Sequence, residues 1–256
     1  MMKKINVLFE GVAVPSIIFV GVTLTIAVVS SLAAELLRSI GIATFGELNA
    51  VFLQGIADIL MLPMLIPLYY AFKKKHNIIS NVVKVPEILH LIPVAFSICI
   101  ICNILLQYLP FEEENEVSKE IFELVEKYNV FVVIFIVSIL IPIVEEILFR
   151  GYFFDAITIV SNKTIAIIIT SIGFAIIHGN LTQGIYALVA GLFFGLVKSK
   201  YNKVIYTVIM HLVMNFCSII FVPAIIGLTD IRQKIYTLFI CGALLFFSIY
   251  RIKKCN

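Results

Sequence analysis

The stretch NVFVVIFIVSILIPIVEEILFRGYFF, residues 129–154, is long and apolar enough to cross a bilayer, yet it carries charged groups in its interior. Glu145, Glu146 and Arg150 lie within two helical turns of one another. A charged side chain at the centre of a bilayer costs roughly 2.5–3.5 kcal/mol on insertion scales, so such residues usually mark function. The stretch therefore predicts a membrane-spanning helix that carries a functional site.

The composition indicates an integral membrane protein. Of the 256 residues, 61% are hydrophobic and 14% are charged, and the mean hydropathy is +1.09. Soluble domains are about 45–50% apolar and about 25% charged. The five cysteines are spaced neither as a disulfide framework nor as a zinc ligand set. We predict an all-α, polytopic membrane protein in which residues 1–256 form a single integral membrane domain.

Eight apolar runs define the expected architecture. They cover residues 12–36, 48–72, 88–110, 130–159, 164–179, 183–199, 204–227 and 234–250. Most have the roughly 20 residues that cross a bilayer, and the fifth and sixth are shorter. The first run is too long for the apolar region of a signal peptide, so we interpret it as the first span.

The distribution of basic residues predicts the topology. If the eight runs alternate across the membrane, five basic segments fall on one side, namely those at 3–4, 73–76, 163, 198–203 and 251–254. The positive-inside rule makes that side cytoplasmic. We therefore expect a multi-pass protein of the cell membrane with both termini in the cytoplasm. The strongly acidic connector at 111–128 would face outward.

In the motif EExxxR, the two neighbouring glutamates point in different directions from the helix axis. On an α-helix, Glu146 and Arg150 are i,i+4 neighbours in the orientation that favours an ion pair. Glu145 points about 100° away around the helix and lacks this partner, so it is free to act as a general base. The alternative is a structural ion pair beside a glutamate that pairs with another helix.

A second motif places an imidazole opposite this site. Glu145 lies 17 residues before Asn162, in the expected turn between the fourth and fifth runs, and His178 lies 16 residues after it. In an antiparallel hairpin both side chains are then roughly 24–25 Å from the turn at about 1.5 Å per residue, so they can face each other. Phe174 shares a face with His178. The alternative for His178 is helix-end capping, because Gly179 follows it.

The third motif, His211-Leu-Val-Met-Asn215, puts two polar side chains on one face of the seventh run. Hydrogen bonding between helices is the alternative role for such residues. Together with a carboxylate and a second histidine, however, the set suits amide hydrolysis without a nucleophilic side chain. Glu145 and His178 would activate a water, while His211 and Asn215 would donate hydrogen bonds to the oxyanion.

One further acidic residue, Asp58, lies alone in the second run. Either it lines the same cavity or it pairs with a neighbouring backbone group. The sequence does not distinguish these two roles.

The ordered motifs EExxxR (Glu145, Glu146, Arg150), FxxxH (Phe174, His178) and HxxxN (His211, Asn215) resemble those of the CPBP family. This family groups type II CAAX prenyl endopeptidases, Abi proteins and bacteriocin-processing or immunity proteins. The segment HGNLTQGIYALVAGLFFG, residues 178–195, is also similar to the family. The resemblance implies a catalytic core over residues 130–226.

The resemblance also implies roles for these residues. The first glutamate and the histidine of the second motif would activate water, the third motif would form the oxyanion site, and Glu146 and Arg150 would support the first helix. Family members are often described as metalloproteases. We expect no cofactor, and the alternative is a zinc ion bound by Glu145, His178 and His211.

The leading hypothesis is an intramembrane endopeptidase. Its expected partners are a peptide or lipopeptide substrate from the membrane interface and membrane lipids, with no nucleic acid. The substrate would be a leader, bacteriocin or pheromone precursor, or a CAAX-like C-terminus. The alternatives are a non-enzymatic bacteriocin-immunity or scaffold protein, an amide-forming or acyl-transfer enzyme acting on lipopeptides, and a transporter or channel. A transporter requires a continuous polar pathway, whereas the polar residues here cluster at one depth.

Overall fold

A computed structural model of the protein describes residues 2–39, 50–80, 82–108, 129–226 and 230–254. Every regular element within these ranges is a helix. Six helices within these described ranges are long and apolar enough to cross a membrane, and two shorter apolar helices accompany them. The predicted fold class, an all-α polytopic membrane protein, is confirmed.

Nine helices in the described ranges are numbered here in chain order. They are α1 (residues 2–39), α2 (Ala50–Lys75), α3 (Val85–Leu106), α4 (Val130–Val160), α5 (Lys163–Ile176), α6 (Leu181–Tyr201), α7 (Val204–Ile220), α8 (Val222–Ile226) and α9 (Ile231–Lys254).

Each of the eight predicted apolar runs coincides with a helix, but the lengths differ from expectation at two places. The sixth run was predicted to be short, and this was wrong because α6 extends through 21 residues. The seventh run ends early at Ile220, and Pro223, which lacks a backbone N–H, lies in the separate short helix α8. The acidic connector at 111–128 lies outside the described residues.

Helix α4, which carries the first motif, is not a regular α-helix. Two π-helical segments, Phe135–Leu140 and Ile147–Phe153, flank the α-helical segment Ile141–Glu146. Pro142 near the first boundary cannot donate a backbone hydrogen bond. Wider π-helical turns are frequent at functional sites, because they change the direction in which side chains point. Both glutamates therefore lie between two irregular turns.

Helices α5 and α6 form a close hairpin. A β-carbon on Gly184 would lie 3.3 Å from the Ala175 carbonyl oxygen, and one on Gly191 would lie 3.1 Å from the Ser171 α-carbon. Small residues allow membrane helices to approach at this distance. The Asn180 side chain accepts a hydrogen bond from the Gln183 N–H and so caps the start of α6. The hairpin brings the end of α5 against the middle of the bundle.

A buried polar network holds α2, α4 and α6 together away from the motifs. Lys198 Nζ lies 2.8 Å from Asp155 Oδ1, and both side chains are almost completely buried. Tyr69 donates a hydrogen bond of 2.6 Å to the other carboxylate oxygen of Asp155. With both oxygens of Asp155 engaged, this network has a structural role that fixes the position of α4 between its neighbours.

Candidate active site

The first and third motifs meet at a buried carboxylate. Arg150 Nη1 lies 3.2 Å from Glu146 Oε1, and neither side chain has any exposed surface. His211 Nδ1, on α7, lies 3.1 Å from the same Glu146 oxygen. Glu146 thus joins a guanidinium from its own helix to an imidazole from another. The i,i+4 ion pair expected from the sequence is present, whereas the contact with His211 was not expected.

Aromatic rings enclose the guanidinium of Arg150. Its Cζ atom lies 4.4 Å from the ring centre of Phe174 and 5.2 Å from that of Phe194. Such cation–π contacts partly replace the hydration that a buried cation loses. Gly191 leaves room for this arrangement, because a β-carbon there would lie 3.0 Å from Arg150 Nη2. The Phe174 ring also makes edge contacts with His178 and His211.

Phe194 was not among the residues predicted from the sequence. Its ring centre lies 5.2 Å from that of His211, so it packs against two members of the motifs. Phe194 stands in the run LFFG, where nothing distinguishes it from a lipid-facing aromatic residue. Only the packing of α6 against α4 and α7 reveals its position.

Glu145 is the carboxylate that Arg150 does not hold. About 16% of its side chain is exposed, and its Oε2 atom lies 3.7 Å from His211 Nε2. His211 therefore lies between the two glutamates, with one ring nitrogen toward each. Among the described residues, His211 is the side chain within ion-pair distance of Glu145, and no hydrogen bond or ion pair joins Glu145 to His178.

His178 lies one residue beyond the C-cap of α5, where Gly179 adopts a left-handed backbone conformation with φ of +75°. Its Nδ1 atom lies 2.8 Å from the Phe174 carbonyl oxygen. Because a carbonyl can only accept, this contact assigns the proton of the neutral ring to Nδ1. Nε2 is then left with a lone pair. The capping role and a role as a base are therefore compatible.

Asn215 connects α7 to the first π-helical segment of α4. Its Nδ2 atom donates a hydrogen bond of 3.0 Å to the carbonyl oxygen of Val137. Irregular turns leave backbone groups without regular helical partners, and polar side chains from neighbouring helices satisfy them in membranes. The amide retains a second N–H and its oxygen for other partners.

One cavity of about 100 Å³ brings the three motifs together. A water molecule occupies about 30 Å³ in the liquid, so this space suits a few waters. Residues of α4, α5, α6 and α7 and the turn after α5 line it, and they are Val137, Ile141, Glu145, Phe174, His178, Tyr186, Ala187, Ala190, Phe194, His211, Met214 and Asn215. Glu146 and Arg150 lie outside this lining and support it from behind.

Zinc ligation by Glu145, His178 and His211 is the alternative to a metal-free site. Within the part of the chain that the structure describes, no group of three or more His, Cys, Asp or Glu side chains is positioned to hold a metal ion. The orientation of His211 explains this result in part, since its nitrogens are directed at Glu146 and Glu145. The metal-free mechanism nevertheless stays a prediction.

Asp58 is not part of this cavity. Its Oδ1 atom accepts a hydrogen bond of 2.8 Å from Gln54, one turn earlier on α2. It lines a second cavity, which Glu145 and Ile141 share with the first. In the described structure, Asp58 therefore neither lines the first cavity nor pairs with a backbone group, which are the two roles that the sequence left open.

Comparison with known proteins identifies the motif-bearing part of the chain. Residues 127–217 match the family model described as type II CAAX prenyl endopeptidase Rce1-like. The chain is also similar to UPF0177 protein YxdF of Lactococcus lactis subsp. lactis (strain IL1403), with 35% identity over 82 residues. That alignment covers 32% of this chain and 45% of the relative, so it spans less than half of the relative's length. No solved structure matches.

The family match covers all three motifs, and the structure gathers them around one cavity inside a helical membrane protein. The chain is thus a multi-pass membrane protein in which residues 127–217 are similar to the Rce1-like type II CAAX prenyl endopeptidases, and this similarity points to a protease in general.

Proposed function

We propose that this protein is an intramembrane endopeptidase that hydrolyses a peptide bond with a water activated by Glu145 and His178. The observation that carries the proposal is the shared cavity. Glu145, His178 and the pair His211 and Asn215 come from three separate parts of the chain, yet all four residues line a space that suits water. Burying ionisable and amide groups at bilayer depth costs free energy, so a cluster of them usually marks a functional site.

The reaction begins with a water between Glu145 and His178. The Nδ1–H of His178 is engaged with the Phe174 carbonyl, so His178 Nε2 accepts a hydrogen bond from the water. Glu145 takes the proton as the water oxygen bonds to the scissile carbonyl carbon. The same proton then passes to the amide nitrogen, the C–N bond breaks, and the products are a carboxylic acid and an amine.

His211 and Asn215 stabilise the oxyanion of the tetrahedral intermediate. Because His211 directs Nδ1 at the Glu146 carboxylate, its Nε2 atom donates a hydrogen bond only when the ring is an imidazolium. Glu146 stabilises that cation in the way that a buried aspartate stabilises the histidine of a serine protease. Asn215 contributes the N–H that Val137 does not use.

The substrate is a small membrane-associated peptide or protein, such as a leader, bacteriocin or pheromone precursor or a CAAX-like C-terminus. A cavity of about 100 Å³ holds water but no peptide segment, so the scissile bond must enter between helices. Entry from the bilayer or its interface fits the apolar surface of the helices, and membrane lipids are the natural neighbours. The basic connectors support a topology with both termini in the cytoplasm.

The proposal is tested with the full-length protein in liposomes and a pool of labelled membrane peptides in oxygen-labelled water. Mass spectrometry should detect two fragments, one carrying the label in its new carboxylate, and Glu145→Gln should abolish them. Fragments joined to another acceptor would instead support acyl transfer. Intact peptides bound without turnover would favour the immunity or scaffold role.

A further inference from the structure

A second cavity lies next to Glu145 and belongs to none of the steps above. It has a volume of about 300 Å³. Helices α1, α2 and α4 and the end of α5 contribute its walls, through Phe19, Gln54, Asp58, Ile141, Glu145 and Ile177. Because Ile141 and Glu145 also line the first cavity, the two spaces adjoin at the carboxylate that activates water. A group held here would lie beside the reacting bond.

Asp58 is the polar feature of this cavity that has no structural explanation. Its side chain is completely buried, and its Oδ1 atom accepts a hydrogen bond from Gln54. Its Oδ2 atom is buried without a hydrogen-bond partner in the described residues. By contrast, Asp155, the other buried aspartate described in the spans, has partners on both oxygens. Asp58 also lies outside the family match at 127–217.

Near Glu145, the described carboxyl groups outnumber the lysine and arginine side chains. Among the described residues, Asp58 and Glu145 line the second cavity, and Glu146 and Arg150 lie behind the first cavity as an ion pair. Arg150 pairs with Glu146. Among the described residues, the ion-pair contacts of His211 are with Glu145 and Glu146. None of the ion pairs among the described residues includes Asp58. The second cavity is therefore lined by two carboxyl groups, one amide and three apolar side chains.

The shape and chemistry of this space match one kind of side chain. Lysine and arginine carry an apolar stem that packs on hydrocarbon and a cationic end that donates hydrogen bonds. Phe19, Ile141 and Ile177 would cover the stem, and the free Oδ2 atom of Asp58 would accept from the end group. The volume is at the lower end of the range for ligand pockets, which suits a single side chain.

We propose that this cavity is a substrate subsite that takes a lysine or arginine side chain close to the scissile bond, with Asp58 as its charge partner. Gln54 orients the carboxylate by holding Oδ1. The inference rests on the proposed function, since the subsite is defined by its position beside Glu145.

Binding tests the subsite directly. The probes are apolar membrane peptides that differ only in the position of one lysine, each with a norleucine counterpart of similar length. They are titrated into full-length protein carrying His178→Ala, which prevents turnover without changing the lining of the second cavity. At one position the lysine peptide should bind more tightly than its counterpart. Asp58→Asn should weaken its binding about 30-fold or more, as truncation of a buried charge pair does.

Three further variants control for folding and for charge in general. Asp58→Glu should keep the preference for lysine, and Asp230→Asn, which changes an exposed aspartate before α9, should leave all binding unchanged. Ile177→Phe should weaken the binding of both the lysine and the norleucine peptide, because the larger side chain fills the cavity without altering its charge. Equal binding of lysine and norleucine peptides at every position, or a lysine preference that survives Asp58→Asn, would overturn the proposal.

Cleavage of the same peptides by the unsubstituted protein separates this inference from the proposed function. A lysine preference in binding without any cleavage upholds the subsite and rejects the protease. Cleavage of lysine and norleucine peptides with equal kcat/KM rejects the subsite and retains the protease.

Discussion

His211 Nδ1 lies 3.1 Å from Glu146 Oε1, although 65 residues separate them in the chain. The same oxygen pairs with Arg150, so one buried carboxylate fixes both a cation of its own helix and the imidazole of α7. A carboxylate on one ring nitrogen sets the orientation of the ring and the position of its proton. Glu146 therefore controls which hydrogen bond His211 can offer to the cavity.

Removal of either proposed water-activating group should abolish turnover while the protein still folds. We expect Glu145→Gln and His178→Ala each to lower kcat by at least about 10²–10⁴-fold, the usual contribution of a general base. Initial rates on a cleaved membrane peptide measure the effect. Glu10→Gln is the matched control, because Glu10 pairs with Lys75 on the surface of α1 and should leave kcat unchanged. Near-native turnover in either site variant rejects the pair.

The ion pair between Glu146 and Arg150 should dominate stability at the site. Glu146→Gln leaves Arg150 as an uncompensated buried charge, which costs roughly 3–5 kcal/mol in the free energy of unfolding. Arg150→Gln should cost less than this, because Glu146 keeps its contact with His211. Glu145→Gln, at a partly exposed carboxylate without such a partner, should cost much less. Denaturation of the purified protein in detergent compares the three. If all three variants unfold at the same denaturant concentration, the pairing does not have this role.

Gly191 should be required for the position of Arg150. A β-carbon at Gly191 would lie 3.0 Å from Arg150 Nη2 and 3.1 Å from the Ser171 α-carbon, so Gly191→Ala forces the guanidinium or α5 to move. Overpacking of this kind typically costs about 1–3 kcal/mol. Gly242→Ala on α9 is the matched control, since no atom lies within 4 Å of the added carbon. Unfolding and kcat should change for the first variant alone, and equal behaviour of the two would contradict the close packing.

The features that the sequence predicted correctly depend either on neighbouring residues or on the thickness of the bilayer. The eight apolar runs could be recognised because the thickness of hydrocarbon fixes the length of a spanning helix. The pair of Glu146 and Arg150 could be recognised because residues four apart share a helix face. Both inferences need only neighbouring residues or their average hydropathy.

The features that the sequence did not reveal depend on packing between distant segments. The contact of His211 with Glu146 and the place of Phe194 beside Arg150 follow from how α6 and α7 pack on α4. The depth argument for Glu145 and His178 assumed a regular α-helix, whereas α4 contains two π-helical segments. The two residues share the cavity, but the neighbour within ion-pair distance of Glu145 is His211.

Activity should not depend on a metal ion. If Glu145 and His178 activate water directly, a chelator such as EDTA should leave kcat unchanged after prolonged incubation and removal. Elemental analysis of active protein should find well below one zinc per chain. Stoichiometric zinc, with activity lost on chelation and restored by adding zinc, would contradict this mechanism. Glu145, His178 and His211 would then become the candidate ligands, and the proposal of an intramembrane protease would remain.

Asn215 should act in the transition state rather than in substrate binding. Loss of one oxyanion donor lowers kcat by about 10²–10³-fold, and we expect Asn215→Ala to show this loss with little change in KM. Asn215→Ala also removes the hydrogen bond to the Val137 carbonyl in the first π-helical segment, so a control for this contact is needed. Asn103→Ala provides the comparison, since Asn103 on α3 likewise donates its amide N–H to a backbone carbonyl, that of Cys99. Its kcat should be unchanged. If Asn215→Ala and Asn103→Ala lower stability equally and neither lowers kcat, Asn215 has a role in helix packing alone.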